Sequence, residues 1–169
     1  MTAAQPELDL SVEDDGWLPE EQLAALARRA LAAALNHLGL DAAGTELSLV
    51  FTDDEAARAL NAEWRGQDKP TNVLSFPAFD LAPGDPLPPV LGDIVLARET
   101  VEREAALDNK PFDHHLTHLV IHGFLHLLGY DHLDEDEAEA MESLETAILE
   151  DLGISDPYGE PDAGSAKER

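Results

Sequence analysis

The stretch H-G-F-L-H-L-L-G-Y-D-H, residues 122–132, restricts the fold more than any other part of the chain. On a helix, His122 and His126 lie one turn apart on one face, because side chains four residues apart stack along the axis. Gly129 falls where such a helix must end, glycine being the preferred left-handed residue beyond a helix C-terminus. The chain can then turn back and bring His132 over the first two imidazoles. Two ligands from a rigid helix and one from the following turn occupy three corners of a tetrahedron. The fourth is left for water, as in a catalytic zinc site. The spacing therefore predicts one Zn2+ ion held by His122, His126 and His132. Cysteine is absent, so disulfides and thiolate sites are excluded and only imidazole and carboxylate ligands remain.

The same spacing is that of the metzincin proteases, H-E-x-x-H-x-x-G-x-x-H, with one departure: Gly123 stands where the protease carries its catalytic glutamate. That carboxylate moves a proton from the metal's water to the leaving amine. A phosphodiester makes a different demand, because charge develops on phosphoryl oxygens that a metal and a guanidinium can stabilise directly. Gly123 thus turns the expectation from peptide towards phosphoester hydrolysis. His115 and His118 share the face of His122 approximately, as partners that orient a ligand or as substrate contacts. Asp131 either orients an imidazole or handles a proton, or is a turn residue. Asp93, the one charge in an otherwise apolar strand, either supports a ligand or marks a strand-edge turn.

The rest of the chain reads as a single α+β domain. Residues 7–14 alternate apolar and acidic side chains as a half-buried strand. Pro19 opens a helix over 19–38 with Leu23, Leu26, Ala30, Leu31, Ala34, Leu35 and Leu38 as its stripe and Gly39 as its stop. A strand over 45–52 leads to a helix over about 54–64, capped by Asp53 or Asp54, with Ala57, Leu60 and Trp64 facing inward. Strands over 71–77 and 90–97 flank a Pro-rich loop. Helices follow over 98–109, from Pro111 to about Leu128, and from an Asp134 cap to near Gly153. The order βαβαββααα predicts a four-stranded, mostly parallel or mixed sheet packed with about five helices and a metzincin-like metal helix and turn. One domain is expected over residues 1–158, with 159–169 as a polar, disordered tail.

With 36 acids against 10 Lys plus Arg, the net charge is −26. That balance argues against non-specific nucleic-acid binding, since phosphate affinity comes mainly from Lys and Arg. Where the few cations sit therefore matters. Arg65 and Lys69 flank a Gly-containing loop ahead of the third strand, and Arg58 precedes them on the helix. A planar, permanently charged guanidinium suits two-point binding of phosphate oxygens. No apolar run approaches the roughly 18 residues of a membrane span, and the N-terminal stretch lacks the basic and apolar regions of a signal peptide. A cytoplasmic protein without membrane association is the expectation.

W-R-G-Q-D-K-P-T-N-V-L-S-F-P (64–77), then L-G-D-I-V-L-A (91–97), then residues 115–153 resemble the YbeY family of bacterial endoribonucleases acting in ribosomal RNA maturation. The similarity runs from about residue 45 to Tyr158. It implies a single-strand-specific, metal-dependent endoribonuclease that matures rRNA ends, above all the 3′ end of 16S rRNA, and serves ribosome quality control. It implies His122, His126 and His132 as zinc ligands and Arg65 as the functional arginine. On this expectation, Arg65 binds and stabilises the scissile phosphate, Lys69, Arg58 and His118 contact substrate, and Asp93 and Asp131 support the ligands. Ribosomal proteins follow as partners by resemblance only. Two rivals are a zinc peptidase with an atypical base and a ribosome-assembly or chaperone module in which zinc is structural. The open coordination position argues for an enzyme, and Gly123 argues against the peptidase.

Overall fold

The computed structural model describes residues 5–69, 71–131 and 134–154. The elements run β1 (Glu7–Val12), α1 (Glu20–Leu38), β2 (Glu46–Thr52), α2 (Asp54–Arg65), β3 (Val73–Pro77), β4 (Val90–Ala97), α3 (Arg98–Leu107), α4 (Phe112–Leu127) and α5 (Glu135–Asp151). This is one α+β domain, in the order that the periodicities predict. The sheet order is β1-β2-β4-β3. β1 pairs with β2 and β2 with β4 in parallel, while β3 runs antiparallel to β4 at the edge. The sheet is therefore mixed, and its antiparallel edge is the side nearest the histidine helix.

Helix α4 is buried on almost every side. Leu116, Leu119, Val120, Ile121, Phe124, Leu125 and Leu127 are all within the core. It packs against α1, α3 and α5 as well as against β3 and β4. The core continues through Leu23, Leu31 and Leu35 of α1 and Leu47, Leu49 and Phe51 of β2. A helix apolar all round belongs inside a domain, and its few polar positions need partners there.

Gly123 sets how closely α4 approaches the sheet. Ser75 and Ile94 are cross-strand partners, and Gly123 lies over that pair. A Cβ at 123 would stand 2.9 Å from Ile94 Cγ2 and 3.2 Å from Ser75 Oγ. Ser75 Oγ also donates to the Gly123 carbonyl at 3.3 Å. The residue that sets this chain apart from the protease pattern is thus buried against the sheet, and a carboxylate there would separate the helix from the strands.

One inward residue is corrected. Trp64 is 65% exposed, although Ala57 on the same stripe is buried. The inner side of the last turn belongs to Asn61, whose Nδ2 donates to the Lys69 carbonyl at 2.9 Å and ties the following loop under the helix. Gly66, in the left-handed region at φ 68°, ends α2. His132 and the tail 159–169 lie outside the described residues.

Candidate metal centre and cleft

His118 and His122 of α4 meet one carboxylate of α5, Glu145. Glu145 is fully buried and sits on the α5 face that also carries Met141, Ile148 and Leu149. Its Oε1 lies 2.7 Å from His118 Nε2 and its Oε2 lies 2.6 Å from His122 Nδ1. Burial resists ionisation of Glu145, but the hydrogen bonds from His118 and His122 outweigh it and lower its pKa to about 2. His118 is held below its ordinary value by burial, against the opposing pull of Glu145. A neutral His118 donates its Nε2–H to the carboxylate, and His122 donates its Nδ1–H.

That second bond settles which nitrogen of His122 faces the site. With Nδ1 as the donor, Nε2 carries the lone pair, and it lies 3.1 Å from His126 Nε2. Two imidazole nitrogens bound to one tetrahedral zinc would be about 3.3 Å apart, given bonds of about 2.0–2.1 Å. The pair therefore fits a shared metal ion, and the carboxylate behind His122 is the usual device for fixing a ligand's tautomer. On the other imidazole, His126 Nδ1 lies 3.9 Å from Asp131 Oδ1. His118, His122 and Glu145 also place one ligand atom each within 4.8 Å of one another, so this group could hold a metal as well. Both Glu145 oxygens already accept from imidazoles, and those bonds favour its use as an orienting group.

His122 and His126 line a cleft of about 510 Å³ together with Arg65, Asn72, Phe79 and Asp131. Arg65 reaches it from the end of α2. The backbone bonds Ala97 N–H to Asn72 O and Ala78 N–H to Leu91 O, both 3.0 Å, show that even-numbered positions of β3 pair with β4. Odd-numbered positions then turn their amides outward at the sheet edge. Arg65 Nη2 donates to the outward Ser75 carbonyl at 2.6 Å, and its guanidinium carbon lies 5.5 Å from the Phe76 ring centre. A carbonyl and a ring face thus fix the plane of the cation.

The other sequence candidates sit elsewhere. Arg58 is spent on Glu55 and Asp68, at 3.8 and 3.4 Å, and neither it nor the exposed Lys69 lines the cleft. His118 is buried behind the site. Asp93 is exposed on β4 and does not line the cleft. Sequence reasoning missed Glu145. Its signal was a carboxylate on the apolar face of α5, four residues after Met141 and three and four before Ile148 and Leu149.

A histidine pair backed by a buried carboxylate and faced by one fixed guanidinium suits a hydrolase whose substrate is anionic. The comparisons with known proteins carry this to a family. The model of the family described as "Endoribonuclease YbeY" matches residues 10–153. The endoribonuclease YbeY of Rhizobium meliloti (strain 1021) is 59% identical over 160 residues, covering 91% of this chain and 95% of that one. That of Agrobacterium fabrum (strain C58) is 61% identical over 158 residues, covering 90% and 94%. The solution structure of TM1509 from Thermotoga maritima aligns with a TM-score of 0.55 at 26% identity, covering 95% of this chain and 99% of that one. The chain belongs to the endoribonuclease YbeY family and, with it, to the hydrolases that cut phosphodiester bonds within RNA.

Proposed function

We propose that the chain is a single-strand-specific endoribonuclease that uses one zinc ion and matures ribosomal RNA in the cytoplasm, with the 3′ end of 16S rRNA as its target. Ribosomal proteins are the partners this reading expects. The observation that carries it is the approach of His122 Nε2 and His126 Nε2 to 3.1 Å in a cleft that Arg65 also lines. His122 and His126 would hold the ion with His132, which lies outside the described residues. When bound, zinc supplies Lewis acidity that lowers the pKa of water and offsets phosphoryl charge.

Each nearby side chain has a separate task. Arg65, held in plane by Ser75 O and Phe76, engages the scissile phosphate and meets the charge that grows on its oxygens. Glu145 keeps His122 in the tautomer that presents Nε2. Asp131 steadies His126 from the turn. A Cβ at 123 would crowd Ile94 Cγ2 at 2.9 Å, and Gly123 itself offers no carboxylate of the kind that a peptidase reading needs as proton shuttle.

The test is metal analysis of the purified protein beside cleavage of single-stranded RNA with and without chelator. Bound zinc near one equivalent, and cleavage lost on chelation and restored by zinc, are expected. Arg65→Ala should cut cleavage by about 10²-fold or more with metal content unchanged. Unimpaired cleavage by that variant would remove Arg65 from the reaction.

A further inference from the structure

Phe79 is a large aromatic side chain left 52% exposed, and it forms part of the wall of the cleft that contains His122, His126 and Arg65. An exposed ring on a loose loop would mean little, but the backbone on both sides of this one is fixed. Before it, Pro77 and Ala78 press against Gly92, where a Cβ would stand 3.0 Å from Pro77 Cα and 3.1 Å from Ala78 N. Ala78 N–H also donates to Leu91 O at 3.0 Å. After it, Leu81 and Ala82 press against Gly129 at the end of the metal helix, where a Cβ would stand 2.9 Å from Ala82 Cα. Gly92 and Gly129 have φ of 143° and 105°, so both close approaches depend on glycine. The ring is thus carried between two backbone clamps, one on β4 and one at the end of α4.

The charge of the cleft shows why a flat apolar face is needed. Among its described lining residues Arg65 is the one permanent cation, and Asp80 and Asp131 line the same cleft. With a net charge of −26 on the chain, phosphate contacts alone cannot supply much affinity for RNA. Single strands offer a second source: unstacked bases whose faces pack on aromatic rings whatever their sequence. A duplex keeps those faces buried in its own stack.

We infer that Phe79 is the base-stacking platform of the cleft, taking the face of an unpaired nucleobase next to the phosphate that Arg65 engages, and so favouring single-stranded over double-stranded RNA. The inference rests on the endoribonuclease reading above and adds the contact that recognises an unpaired base.

Steady-state cleavage of a single-stranded oligoribonucleotide by the zinc-loaded protein tests it. Phe79→Leu, which keeps apolar bulk and loses the flat face, should raise KM by about tenfold, with any fall in kcat smaller than that rise. Phe79→Trp should restore the parent KM. Substrates with one abasic ribose moved along the strand should include one position at which the parent and Phe79→Leu become equal. A KM for Phe79→Leu within twofold of the parent, or a penalty that no abasic position removes, overturns the stacking role. Failure of the endoribonuclease reading is separate: the parent protein would then cleave nothing. Binding of a fluorescent 2′-O-methyl oligonucleotide still decides in that case, since weaker binding by Phe79→Leu supports the platform and equal binding rejects it.

Discussion

Glu104 on α3 and Glu145 on α5 both meet histidines of α4, and they are used differently. Glu104 accepts from His115 Nε2 at 2.8 Å and from Asn72 Nδ2 at 3.0 Å, while about a third of its side chain stays in solvent. Glu145 is fully enclosed, and both of its oxygens face imidazoles. The first pair joins α3 and α4 to the start of β3, where the Asn72 side chain also accepts from Val73 N–H. The second passes its orientation on to His122, which opens into the cleft. The same residue types, one or two turns apart on one helix, thus serve as a structural tie in one place and a ligand support in the other. What separates them is whether the histidine's second nitrogen has somewhere to act.

The sharpest way to break this comparison is to remove one charge from each pair. Glu145→Gln leaves an amide whose NH2 must face one of two imidazole N–H groups, so one ring must change tautomer or turn. Zinc affinity should fall by about 10–100-fold, the usual cost of losing a ligand's orienting partner. Glu104→Gln should leave zinc affinity unchanged. Competition against a chromophoric chelator measures both. Equal affinities in the two variants would mean that Glu145 is no closer to the metal chemistry than Glu104 is.

A second test addresses the seating of α4, on which the Glu145 pair depends. Gly123→Ala places a methyl group 2.9 Å from Ile94 Cγ2 and 3.2 Å from Ser75 Oγ. Overpacking of this kind costs about 1–3 kcal/mol, while replacing glycine within a helix returns about 0.5–1 kcal/mol. A net loss of stability is expected in urea unfolding. A variant more stable than the parent would show that the sheet yields easily there and that Gly123 is not what seats the helix.

Much of this architecture was legible before any coordinates. Apolar patterning, together with caps and breakers, marked the helices and strands, because each element has a face or core to fill. Gly39 marked the end of the first long helix, and it adopts the left-handed conformation that such a stop needs. The spacing of His122 and His126 announced two neighbouring imidazoles, since four residues on a helix fix two side chains in space whatever surrounds them. What stayed hidden depends on contacts between distant segments. Trp64 keeps the inward stripe of α2, but Asn61 and the loop it ties down close the inner side first. Asp93 drew attention as a charge in an apolar strand, yet strand alternation puts it on the side opposite its buried neighbour Ile94. Glu145 is one acid among many in an acidic helix, and only its place on the apolar stripe distinguishes it.

The smallest expected effect concerns Glu104 and acid. Burial pushes its carboxyl up, but hydrogen bonds from His115 and Asn72 and the nearby His115 and Arg103 charges outweigh that and hold it below the ordinary value of 4.5. The unfolded chain therefore binds this proton more readily than the folded one. The stability Glu104 contributes is present above pH 4.5 and is lost as pH falls through the lower folded value. Solvent reaches enough of the side chain to screen the pair, so the contribution is under about 1 kcal/mol. Urea unfolding of the parent and Glu104→Gln should differ by that amount near neutral pH and converge in acid. A difference that grows in acid would reverse the sign. It would mean that the protonated carboxyl, not the carboxylate, is the form that ties α3 to α4.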